Sequence, residues 1–96
     1  MENLFFISVN IKTKSGFESY VTFNLGENRG KEEAIFDMLK GSLELSDKTI
    51  LTIDFTEMKN GIPLPIKMLD CTFDQLTDNT KVITREIFKN INFDIG

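Results

Sequence analysis

The chain is predicted to fold as one α+β domain, in which two helices cover one face of a four-stranded antiparallel sheet in the order ββαββα. Two observations predict this fold class: four segments alternate apolar and polar residues with period two, and two others repeat apolar residues at helical spacing. Turn signals at Ser15-Gly16 and Asn60-Gly61 separate the strands of each pair. Because 96 residues is the size of one domain, residues 1–96 are expected to share one core.

The first half of the chain predicts a β-hairpin followed by a helix. Apolar residues occupy every second position from Phe5 to Ile11 and again from Val21 to Leu25, as in half-buried strands. A helix is then predicted from about residue 30 to 42, with Asn28 or Gly30 as its N-cap.

The second half begins with another predicted hairpin. Leu51, Ile53 and Phe55 alternate with polar residues, and the Asn60-Gly61 turn follows. The return strand, residues 62–69, carries two prolines two positions apart, so both missing N–H groups would lie along one side of it. We therefore expect this strand at the rim of the sheet.

The last element is predicted to be an amphipathic helix from about 80 to 91, because Ile83, Ile87 and Ile91 fall on one helical face. Residues 72–75 match a capping box, yet 77–80 are poor helix formers. The sequence leaves open whether 72–80 is helical or forms a single turn before a break.

Composition excludes several classes of partner. The net charge is −4, and no two of the eleven Lys and Arg residues are adjacent, which disfavours nucleic acid and anionic membranes. The N-terminal segment lacks the basic region of an export signal, and Cys71 is the single cysteine. We therefore expect a cytoplasmic protein without membrane or nucleic-acid contacts.

The sequence offers little catalytic chemistry. It contains no His, the commonest general base and metal ligand. The segment Gly26–Lys31 departs from a phosphate-binding loop, and the spacing of Glu57 and Lys59 does not come with a nearby carboxylate. Asp70, Asp74 and Asp78 lack the pattern of a calcium loop. We predict no catalytic residue, no metal ligand and no cofactor, and favour a binding domain over an enzyme.

The outward face of the sheet is the surface most suited to binding, because it places two aromatic rings among small polar side chains. Its predicted partner-binding residues are Phe6, Ser8, Asn10, Tyr20, Thr22 and Asp54. The favoured hypothesis is a protein-interaction or regulatory domain that binds another protein, or its own copy, through this face. The alternative is a small-molecule binder or enzyme with a pocket of at least ~300 Å³ between sheet and helices, using Asp54, Glu57 or Tyr20.

Overall fold

The computed structural model describes residues 3–95 and confirms the predicted α+β fold, with its four-stranded antiparallel sheet and element order ββαββα. Two helices lie on one face of the sheet. The strands and helices have the following bounds: β1 Leu4–Thr13, β2 Gly16–Gly26, α1 Arg29–Asp37, β3 Leu51–Lys59, β4 Ile62–Asp70 and α2 Phe73–Ile95.

The sheet has the strand order β2-β1-β3-β4, so β4 lies at the rim, as its two prolines predict. The turn between β3 and β4 contains two residues, Asn60 and Gly61, which both have positive φ angles of 53° and 79°. These values are those of the type I′ turn that Asn-Gly favours.

The sheet has three register shifts, of which one lies between Phe5 and Phe6 and the other two alter which residues face each other around the middle of the sheet. Val9 pairs with Val21 but Asn10 pairs with Ser19, which leaves Tyr20 as the extra residue of β2. On the other side, Phe55 pairs with Lys67 whereas Thr56 pairs with Pro65, so Ile66 is the extra residue of β4. Neither bulge is predicted by the alternating pattern.

The core lies between the sheet and both helices. It is built from the inward residues of the strands, together with Ile35 and Phe36 of α1 and Ile83 of α2. The ring of Phe55 stacks on that of Phe5 and lies 5.8 Å from that of Phe36. These three rings, which have no polar group to satisfy, fill a dry interior, whereas Phe17, Phe73 and Phe88 are exposed.

Helix α1 ends earlier than predicted, at Asp37 rather than near residue 42. Its N-cap is Asn28, whose Oδ1 accepts a hydrogen bond from the Lys31 backbone at 2.9 Å. Beyond the helix, the backbone of Ser42 pairs with Asp70 of β4. Gly41 approaches Asp70 so closely that a Cβ at this position would lie 2.8 Å from its carbonyl oxygen. The chain is therefore bound to β4 where the helix was expected to continue.

Helix α2 is continuous from Phe73, which answers the question that the sequence leaves open over 72–80 and places the start of the helix earlier than the predicted residue 80. Thr72 and Gln75 form the capping box: each side chain accepts from the other's backbone N–H, at 2.9 and 3.1 Å. Asn79 is almost fully buried, and its side chain donates to Lys40 O and accepts from Lys40 N, both at 2.8 Å. These bonds to another element outweigh the weak helix propensity of this segment. The side chain of Ile91 lies outside the described residues.

Candidate functional site

The open face of the sheet, opposite the helices, is organised in rows that cross the strands. Strand pairing places Thr22, Ser8, Asp54 and Met68 in one row, in that order from β2 to β4. The next row contains Ser19, Asn10, Thr52 and Asp70. Because β1 and β3 are the central strands, their polar side chains lie in the middle of this face.

A cavity of about 370 Å³, open to solvent on one side, lies on this face. We call it the open-face pocket. Its polar wall comes from β1 and β3, and its apolar walls come from three different elements. The residues that line it are Asn10, Phe17, Leu45, Ser46, Thr49, Thr52, Asp54 and Met68.

The loop between α1 and β3 supplies one wall of the pocket and is held in place by Thr49. This buried side chain accepts a hydrogen bond from Ser46 N at 2.9 Å and donates one to Asp70 Oδ2 at 3.0 Å. Lys12 Nζ also donates to Asp47 O, at 3.3 Å. Because these bonds fix residues 46–49, the position of Leu45 over the sheet is defined.

The polar wall contains a chain of hydrogen bonds that leads toward Asp54. Ser19 Oγ donates to Asn10 Oδ1 at 3.1 Å, and Asn10 Nδ2 donates to Thr52 Oγ1 at 3.3 Å. Since the Thr52 oxygen accepts from Asn10, its own proton is left to donate. Asp54 lies two residues further along the same face of β3, beside these side chains.

Asp54 carries an unsatisfied charge. Its Oδ1 is shielded from solvent and has no hydrogen-bond partner among the described residues. Burial raises the pKa of this carboxyl group, although Thr52 and Asn10 lower it in part. A half-buried carboxylate without a cation is costly, because burial removes part of its hydration and the neighbouring Thr52 and Asn10 replace it only in part.

The bulge in β4 explains why no cation of that strand neutralises Asp54. Near the turn, Thr56 pairs with Pro65, and this register continued for two residues would place Lys67 opposite Asp54. Ile66 shifts the register by one, so Met68 takes that place. Lys67 lies on the helix side of the sheet, where it forms ion pairs with Glu33 at 2.9 Å and Asp37 at 2.8 Å.

The six predicted site residues are brought to one region of the sheet, but only Asn10 and Asp54 line the pocket. Ser8 and Thr22 lie in the same row as Asp54, and Phe6 lies in the row beyond. Tyr20 lies on the bulge of β2 and is 74% exposed. The prediction did not include Thr52, although alternation places it on this face. It also did not include Phe17, Met68 or the loop residues, since two bulges and one loop conformation determine their positions.

The pocket predicted between sheet and helices differs from the one observed. A cavity of about 250 Å³ does lie between α1 and β4, beside Phe36 and Leu69, but it is below the expected size. Glu57 pairs with Phe5 and so lies on the helix side of β3, whereas Asp54 lies on the open side. These two carboxylates therefore cannot contribute to one pocket.

The remaining candidates from the sequence are Cys71 and the aspartates Asp70, Asp74 and Asp78, and their surroundings do not indicate a reactive or metal-binding site. Burial, with a smaller contribution from the charge of Asp70, raises the pKa of the Cys71 thiol to about 11, so the reactive thiolate is scarce at pH 7. Asp70 ends β4, whereas Asp74 and Asp78 belong to α2, and Asp78 pairs with Lys40. Within residues 3–95, no cluster of three His, Cys, Asp or Glu side chains is arranged to hold a metal ion.

A second buried carboxylate lies away from the pocket, at the start of α1. Glu32 is 3% exposed, and its Oε1 has no hydrogen-bond partner among the described residues. The side chain packs against Gly26, where a Cβ would lie 2.5 Å from Glu32 Oε2. Glu32 lines neither the open-face pocket nor the cavity between α1 and β4.

Neither helix of the described chain combines the length and apolar character needed to span a bilayer. Comparison with protein-family models, curated proteins and solved structures finds no match to this chain. The function of this chain is therefore inferred from the geometry of the open-face pocket.

Proposed function

We propose that this chain is a non-catalytic binding domain that holds a small organic molecule in the open-face pocket. The observation that carries this proposal is a cavity of about 370 Å³ in which Asp54, Asn10 and Thr52 form a polar wall opposite Phe17, Leu45 and Met68. Small-molecule sites have volumes of roughly 300–1,000 Å³ and combine apolar walls with a few polar groups. The pocket meets both criteria.

A binding role is favoured over catalysis because Asp54 is the one acidic or basic side chain among the residues that line the pocket. General acid–base reactions usually need a partner group of suitable pKa within hydrogen-bond reach. The single thiol, that of Cys71, belongs to the core on the other side of the sheet. A single cysteine without a disulfide also suits a reducing compartment, so the cytoplasm stays our predicted location.

The shape of the open face makes a small ligand the better proposal than a protein. A cavity of about 370 Å³ has the size of a small-molecule site, whereas a standard protein interface takes about 800 Å² from each partner. The net charge of −4 continues to disfavour nucleic acid and anionic membranes.

Protein contact or self-association remains the second candidate, because large apolar side chains are exposed around the pocket. Phe17, Tyr20 and Leu45 are 48%, 74% and 45% exposed, respectively. Light scattering and sedimentation of the intact chain and of its Phe6→Ser/Tyr20→Ser variant test this candidate. Assembly that is lost in the variant supports it, whereas assembly that is unchanged or absent in both proteins removes it.

A fragment screen followed by ¹H–¹⁵N NMR tests the proposed function. Binding fragments are expected to shift the backbone amides of Asn10, Thr52 and Met68. Leu45→Trp should fill the pocket and abolish these shifts. Leu43→Trp is the matched control, because it changes the same loop beside the other cavity. The proposal is wrong if no fragment perturbs the pocket, or if binding survives Leu45→Trp unchanged.

A further inference from the structure

We infer that the ligand of the open-face pocket carries a protonated amine, and that Asp54 is the group that recognises it. This inference depends on the proposed function and adds the chemical class of the ligand. Its first basis is the unsatisfied carboxyl group, which has a buried Oδ1 without a partner. Its second basis is the arrangement of the groups around that carboxyl.

The polar wall leaves an acceptor without a cation. Asn10 uses its Oδ1 to accept from Ser19 and one N–H of its Nδ2 to donate to Thr52. The side chains of Asn10 and Thr52 lower the pKa of Asp54 in part, yet Asp54 Oδ1 has no hydrogen-bond partner among the described residues. An anionic ligand would face the like charge of the Asp54 carboxylate, whereas a ligand that donates satisfies it, and a charged donor to a carboxylate forms a stronger bond than a neutral one.

The nearby charged groups do not supply this cation. Lys67, which an unbulged hairpin would place opposite Asp54, is bound to Glu33 and Asp37 on the other side of the sheet. Lys12 donates to the carbonyl of Asp47. Asp70, the other carboxylate of this face, accepts from Thr49. Among the described residues no ion pair includes Asp54, so a cation from outside the chain is the missing partner.

The apolar walls indicate that the amine is attached to an apolar body. Phe17, Leu45 and Met68 line the same cavity as Asp54. An aromatic ring also attracts cations through its negative face. A hydrated inorganic cation could not use these walls, whereas an arylalkyl or alkyl amine buries its carbon atoms against them.

Three probes with the same apolar body test the inference: 2-phenylethylamine, 2-phenylethanol and phenylacetate. We expect the amine to bind about ten- to hundredfold more tightly than the alcohol, the range that a charged hydrogen bond supports, and phenylacetate to give no shifts in the pocket. NMR titration at pH 7 measures all three affinities and locates each site. In Asp54→Asn the preference for the amine should disappear, whereas Glu27→Gln, which removes an exposed negative charge elsewhere, should retain it.

Met68→Lys provides an independent test, because it places an ammonium group opposite Asp54 within the chain. This variant should bind the amine at least about tenfold more weakly, as an internal cation satisfies the carboxylate. Ile62→Lys, which adds the same charge at an exposed position of β4 outside the pocket, should bind it normally. The NMR spectrum of each variant reports whether the fold is retained.

The outcomes separate the inference from the proposed function. If the alcohol or phenylacetate binds in the pocket as tightly as the amine, or if Asp54→Asn leaves amine binding unchanged, the inference is overturned while small-molecule binding stands. If no fragment of any charge binds in the pocket, both are overturned. Preference for the amine that is lost in Asp54→Asn and in Met68→Lys supports both.

Discussion

At the scale of single residues, Asp54 lowers the stability of the fold while it supplies the carboxylate of the proposed binding site. A carboxyl group whose pKa is raised by burial holds its proton more tightly in the folded state than in the unfolded chain. Its ionised form therefore disfavours folding. Groups of this kind are often found at binding and catalytic sites, because a ligand can supply the missing partner.

We predict that Asp54→Asn stabilises the protein at pH 7 by up to about 1 kcal/mol, since a half-exposed carboxylate keeps part of its hydration. The wild-type penalty is absent below the usual Asp pKa of 3.8, grows as the pH rises to the elevated folded value, and is constant above it. The gain from the variant should therefore shrink as the pH falls from 7 to 4.

Urea unfolding of both proteins at several pH values measures this difference. The charged groups on the same face, Asp70, Asp47 and Lys12, are common to the two proteins, so their titration largely cancels. Glu27→Gln is the control for the loss of one negative charge. A gain that stays constant from pH 7 to pH 4 would show that ionisation of Asp54 is not its cause.

At the scale of the elements, the sequence predicted what depends on local pattern and missed what depends on contacts between elements. The four strands, the two turns and the rim position of β4 follow from alternation, Asn60-Gly61 and the two prolines. The early end of α1 and the continuous start of α2 do not, because Ser42 and Asn79 bond to other elements. Local propensity contains no information about these partners.

The site was predicted in part for the same reason. Asn10 and Asp54 were found because alternation assigns them to the open face. Phe17 and Met68 were missed because each bulge changes the register by one residue, and a register change alters which side chains meet. A bulge at Ile66 is also what separates Lys67 from Asp54, so the feature that creates the site is the one that the pattern does not reveal.

We predict that Asn79→Ala lowers the free energy of unfolding by about 2–3 kcal/mol. The change removes two part-buried hydrogen bonds to the backbone of Lys40, worth about 0.5–1.5 kcal/mol each, and truncates an almost fully buried side chain. Urea denaturation followed by circular dichroism measures the loss. Thr84→Ala, at an exposed position of the same helix, should change stability by less than about 0.5 kcal/mol. Equal effects of the two variants would contradict the role assigned to Asn79.

At the scale of the whole molecule, the sheet has two edges that differ in their resistance to pairing. Edge β4 carries Pro63 and Pro65, which cannot donate backbone hydrogen bonds. Edge β2 contains no proline but is bulged at Tyr20, and a bulge interrupts the regular row of donors and acceptors. Each edge thus has its own protection against joining another sheet, which leaves the open face for ligand contact.

We predict that Pro63→Val/Pro65→Val converts β4 into an edge that pairs with other copies of the chain. Valine restores two N–H groups and favours extended backbone, so the variant should associate increasingly with concentration while the wild type does not gain association through this edge. Sedimentation velocity across a concentration series measures the effect. Ile62→Val/Leu64→Val is the matched control, because it adds valine to the same strand without adding donors. If both double variants associate to the same degree, the added side chains and not the proline positions govern assembly, and the protective role of the prolines is refuted.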